Sequence, residues 1–78
     1  MKPATLADLP AGARGTLAEL RLPEDDAARL MALGFIPGTQ IVMRRAAPGG
    51  DPVVYQVDGT EIAIRRETAR CLILEESA

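Results

Sequence analysis

The chain has 78 residues, enough for one domain with a small core. Hydrophobic residues make up 47% and charged residues 26%, a balance too apolar for an intrinsically disordered chain. The formal net charge is -2 and the pI is about 5.0, so the basic excess that draws proteins to nucleic-acid phosphates is absent and no nucleic-acid partner is expected. With aromatics at only 3%, represented by Phe35 and Tyr55, the core must be filled by Leu, Ile, Val and Met.

In chain order, residues 6–12 read as an irregular lead-in, because Pro10 and Gly12 interrupt regular structure. Residues 15–20 alternate weakly and suggest a strand. Pro23 suits the first position of a helix, where its missing N–H would have no partner. Glu24, Asp25 and Asp26 then place negative charge at the positive end of the helix dipole. Ala27, Leu30 and Met31 define an apolar stripe. Gly34 falls where a left-handed residue should end the helix, with Phe35 packing back towards Leu30 in a Schellman stop. Ile36-Pro37-Gly38-Thr39 carries the residue preferences of a type II turn.

The remainder reads as β structure. Residues 39–46 alternate with Ile41 and Met43 on one side, and residues 47–52 form a loop. Residues 53–57 place Val53, Tyr55 and Val57 on one face. Asp58-Gly59 is a strong hairpin signal, and residues 60–64 return with Ile62 and Ile64 inward. Residues 66–70 suggest one helical turn, residues 71–74 a last strand, and residues 75–78 a solvated tail. The expected architecture is a single mainly β domain over residues 1–78. It is a small barrel of about five strands with one short helix after the first strand, closed so that no sheet edge is exposed.

Catalytic chemistry finds little footing. No histidine is present, which removes the commonest general base and metal ligand. Cys71 alternates with Ile73 and reads as a small buried hydrophobe, and as the lone cysteine it cannot form an internal disulfide. Ser77 lies in the tail. Glu24, Asp25 and Asp26 point in different directions from one helix and cannot converge on an ion. The glycines lack the setting of a phosphate loop. No catalytic residue, metal ligand or cofactor is expected. The basic pairs Arg44-Arg45 and Arg65-Arg66, with Arg70, are either a solvated face or a docking patch for an acidic partner. In a regular strand, neighbours point to opposite faces, so at most one member of each pair would share a face with the other. The first residues contain no apolar run of signal-peptide type, and no stretch is long enough to cross a bilayer. A soluble, cytoplasmic protein without membrane insertion is the expectation.

These blocks occur in a recognisable order. They are Leu6-Ala7-Asp8-Leu9-Pro10-Ala11-Gly12, then Arg29-Leu30-Met31-Ala32-Leu33-Gly34-Phe35-Ile36-Pro37-Gly38, and then Ala47-Pro48-Gly49-Gly50-Asp51-Pro52. Gly59-Thr60-Glu61-Ile62-Ala63-Ile64-Arg65 and Ala69-Arg70 follow. Across nearly its whole length the chain resembles the FeoA family, small cytosolic partners of the bacterial ferrous iron transporter FeoB. The middle block is the most specific. Cys71 departs from the aliphatic residue expected there.

The resemblance implies an SH3-like barrel and a non-enzymatic accessory role in ferrous iron uptake, through contact with FeoB or its cytosolic GTP-binding domain. The alternative is a metal- or nucleotide-responsive regulatory domain, like the C-terminal SH3-like domain of DtxR-type repressors. The candidate partner surface comprises Arg29, Met31, Phe35, Arg44 and Arg65, with Phe35, like Leu30 and Leu33, also read as a core residue. Leu30, Leu33, Gly34, Pro37, Gly38 and Gly59 are assigned structural roles, the leucines as core and the others as backbone-geometry residues. Weak self-association at high concentration is expected of such a barrel.

Overall fold

The structure, a computed structural model, describes residues 4–76. A 3-10 turn at Leu6–Asp8 leads into β1 (Arg14–Leu20), α1 (Glu24–Ala32) and β2 (Gln40–Ala46). A second 3-10 turn at Pro48–Gly50 precedes β3 (Val53–Val57) and β4 (Thr60–Ile64), and α2 (Arg66–Ala69) precedes β5 (Leu72–Leu74). The strands form one antiparallel five-stranded sheet in the order β4-β3-β2-β1-β5.

β1 curls this sheet around the core. Its first residues pair with β2, Arg14 with Val42 and Thr16 with Gln40. Its later residues pair with β5 across a register shift between Leu17 and Glu19. Such an irregularity bends a strand and increases its twist. Gly15 helps here for want of a side chain, because a Cβ would lie 2.8 Å from Leu74 Cδ1. The expected closure does not occur. β4 and β5 are the two ends of the sheet and do not pair, so the barrel is open. The β5 end is nevertheless covered: Leu74 N–H donates to Ala4 O at 2.8 Å and Thr5 bridges Ile73.

The alternating strands deliver the core. Ile41 and Met43 from β2 are buried, as are Val53, Tyr55 and Val57 from β3 and Ile64 from β4. The hairpin is as expected, with positive φ at both Asp58 (50°) and Gly59 (79°), the signature of a type I′ turn. Leu6 from the lead-in is fully buried. Tyr55 Oη–H donates to its carbonyl at 3.0 Å, which fastens the first turn onto β3.

Helix α1 begins one residue later than expected. Pro23 has ψ near 150° and stays outside the helix as its N-cap, while its carbonyl accepts Ala27 N–H at 2.9 Å. Gly34 N–H donates to Met31 O at 3.0 Å and Phe35 N–H to Leu30 O at 3.1 Å, the two bonds of a Schellman stop. Thr39 N–H then closes the Pro37-Gly38 turn onto Ile36 O at 3.0 Å. Cys71 lies before β5 rather than in it and is only partly buried, and all three β5 residues are buried rather than alternating. Its thiol faces Glu67 O at 3.6 Å. The last tail residues, 77 and 78, lie outside the described residues.

Candidate functional site

The exit of α1 separates what is buried from what is offered to solvent. Phe35, open to both a core and a partner-surface reading, is fully buried. Gly34 has a φ of 112°, which turns the chain back on itself and carries Phe35 into the core. Leu33, expected in the core, is 50% exposed, and Met31 and Ile36 are 41% and 47% exposed. Leu33 is the helix C-cap and lies on the outer side of the reversal. Ile36, which sequence reasoning missed, opens the type II turn, a place where the chain runs over the surface. Leu30 is partly buried and packs against the core.

Beside this exit lies a groove of about 310 Å³ between α1 and the corner where β4 meets α2. Leu22, Asp26, Arg29 and Leu30 form one wall, and Ala63, Ile64, Arg65 and Thr68 form the other. Two predicted surface residues, Arg29 and Arg65, are thus brought to one place although far apart in sequence. Asp26 lies 4.0 Å from Arg29, an exposed i,i+3 pair that contributes little to stability.

Arg44 does not line this groove. A register shift between Met43 and Arg45 interrupts the β2–β3 ladder and breaks the opposite-faces expectation for Arg44 and Arg45. Both reach the same carboxylate: Arg44 Nε lies 3.8 Å from Glu61 Oε2, and Arg45 Nη1 lies 2.9 Å from Glu61 Oε1. A bulge sets two residues against one on the partner strand, so neighbours can share a face. Met31 is exposed near the helix exit but is not part of the groove wall.

Arg66 is not a free docking residue either. Its Nε donates to Gly50 O at 2.8 Å and its Nη1 reaches Ala7 O at 3.4 Å. Its main-chain N–H donates to Asp51 Oδ1 at 3.0 Å, so a carboxylate from the 47–52 loop caps α2. Arg66 therefore ties the 47–52 loop and the first 3-10 turn to the start of α2. The Tyr55 hydroxyl, also near this junction, has its pKa raised above the ordinary tyrosine value, chiefly by burial, with Asp8 adding to the rise and Arg66 opposing it. Among the described residues, no three His, Cys, Asp or Glu side chains gather in a group that could hold a metal ion. No helix of the described residues is long and apolar enough to cross a membrane.

The FeoA domain model matches residues 4–76. The chain belongs to the FeoA family. A FeoA protein from Chlorobium tepidum is 29% identical with a TM-score of 0.88, and the match covers 96% of this chain and 71% of that one. A FeoA from Stenotrophomonas maltophilia, complexed with zinc and described as a prokaryotic SH3 domain protein, is 32% identical with a TM-score of 0.80, over 92% of this chain and 89% of that one. T. acidophilum IdeR is 24% identical with a TM-score of 0.78, covering 95% of this chain and 34% of that one, a likeness of fold. No curated protein sequence matches. The open five-stranded barrel is thus SH3-like, and FeoA membership gives the chain a place among accessory factors of ferrous iron transport.

Proposed function

We propose that this protein is a non-enzymatic accessory of bacterial ferrous iron uptake that binds the transporter FeoB on its cytosolic, GTP-binding side. The observation that carries this reading is the α1 exit, where Met31, Leu33 and Ile36 stand exposed on a FeoA-family chain. Large apolar side chains grouped at one feature of a small domain are characteristic of an interaction surface. The groove with Arg29 and Arg65 adjoins the same helix and adds charge that can steer and register a partner.

Pull-down of the FeoB cytosolic domain, and of membranes containing FeoB, tests the reading. Wild type is expected to bind, and the double substitution Met31→Glu, Leu33→Glu to bind at least tenfold more weakly with its fold intact. Absence of association with both probes at high micromolar concentration overturns it. The likeness to T. acidophilum IdeR favours a second reading, a metal- or nucleotide-responsive regulatory domain. Thermal stability measured against ferrous iron, zinc and GTP separates the two. A true ligand at a hundredfold excess over its Kd adds about 2.7 kcal/mol, and no gain with any of them rejects the sensor.

A further inference from the structure

The two ends of the sheet are treated differently. The β5 end is covered by Ala4 and Thr5, whereas among the described residues nothing pairs with the outer side of β4. The ladder determines which main-chain groups point outward. Val57 and Thr60 flank the two-residue turn, and Tyr55 pairs with Ile62 and Val53 with Ile64. In such a hairpin these are the hydrogen-bonded pairs, so the N–H and C=O groups of Glu61 and Ala63 face away from β3. No main-chain hydrogen bond to the rest of the described chain uses them. Unpaired edge groups of this kind are templates for an added strand.

The surroundings specify what would fit. Ala63 is itself part of the groove wall, with Leu22, Leu30 and Ile64 as its apolar surface. Arg29 and Arg65 stand at the same groove, against one carboxylate, Asp26. The nearby Glu61 side chain is held by Arg44 and Arg45. A strand laid along β4 would present its side chains alternately to the two faces, and the pattern that complements this groove is apolar alternating with acidic.

We propose that the free edge of β4 and the adjoining groove capture an extended, alternately apolar and acidic segment of FeoB as a sixth strand. This rests on the reading that the chain binds FeoB, and it adds where and how. The probe is the purified FeoB cytosolic domain with the full chain. Two quantities are followed: binding of wild type, Ala63→Pro and Arg65→Glu, and hydrogen exchange of the Glu61 and Ala63 amides. Ala63→Pro removes an N–H that the monomer does not use, as edge strands allow. It is expected to weaken binding at least tenfold with little loss of Tm. Arg65→Glu is expected to weaken it about tenfold and to flatten its salt dependence. In wild type, the Glu61 and Ala63 amides are expected to exchange at least tenfold more slowly with FeoB bound. If Ala63→Pro does not fold, Arg65→Glu and the wild-type exchange rates decide. Binding of wild type with unchanged exchange at both amides overturns the edge proposal and leaves FeoB binding standing. Absence of wild-type binding overturns the FeoB reading itself. Slowed exchange in the free protein that grows with its concentration assigns the edge to a second copy and also overturns the proposal.

Discussion

Substituting Gly34 by alanine tests the geometry that sorts core from surface at the α1 exit. The residue sits at a φ of 112°, where an L side chain costs about 1–3 kcal/mol. A Cβ there would also lie 3.0 Å from Val57 Cγ1, so Val57 must give way inside a packed core. Forcing a side chain some 30° from its rotamer costs about 0.5–1.5 kcal/mol, and the two costs together come to about 1.5–4.5 kcal/mol. A chain of 78 residues holds only about 4–12 kcal/mol of stability in all. The expected fall in Tm is roughly 6–36 °C. Gly38→Ala is the control, because Gly38 has a φ of 96° but nothing within 4 Å of its would-be Cβ. It should show the backbone cost alone. Urea unfolding of both variants, of Val57→Ala and of Gly34→Ala with Val57→Ala completes a double-mutant cycle. The pair should be less destabilised than the sum of the single substitutions by about 0.5–1.5 kcal/mol, the relief of the contact. Gly34→Ala costing no more than Gly38→Ala, together with an additive cycle, would refute the close-approach argument.

Two further outcomes are expected. Tyr55→Phe removes one of the two donors to the buried Leu6 carbonyl, which keeps Leu9 N–H at 3.1 Å, and should cost about 0.5–1.5 kcal/mol by urea unfolding. Since the folded-state pKa of Tyr55 is raised, the unfolded chain loses this proton first as pH rises. The tyrosine contribution is therefore complete below pH about 10 and declines above it. The stability of Tyr55→Phe should fall less steeply with pH in that range, and an unchanged slope would contradict the burial argument. Asp51→Ala removes the carboxylate that accepts Arg66 N–H at the start of α2. It should cost about 0.5–2 kcal/mol, read as a lower urea midpoint and as faster exchange of the Arg66 amide.

Much of the fold was legible because its signals are local. The Schellman stop at Gly34, the type II turn at Pro37-Gly38 and the Asp58-Gly59 hairpin each depend on a few adjacent residues whose φ preferences restrict the backbone. The buried faces of β2 and β3 followed from strict alternation. The sequence misled where position within a local motif does not settle burial. Phe35 and Leu33 sit on either side of Gly34, and only the direction of the reversed chain puts one in the core and the other in solvent. Cys71 looked like a strand residue because three apolar neighbours follow it, and β5 begins after it.

The turns, the buried faces of β2 and β3 and the family are all legible in residue type and short spacing. Tertiary structure decided which charges meet. Arg29 joins Arg65 at one groove because α1 lies beside the β4–α2 corner. Arg44 and Arg45 share Glu61 because a ladder irregularity overrides alternation. Arg66 is spent on Gly50 and Ala7, and the β5 edge is covered while the β4 edge is not. These outcomes depend on long-range register and on how far the sheet curls, and neither is encoded in any short run of residues.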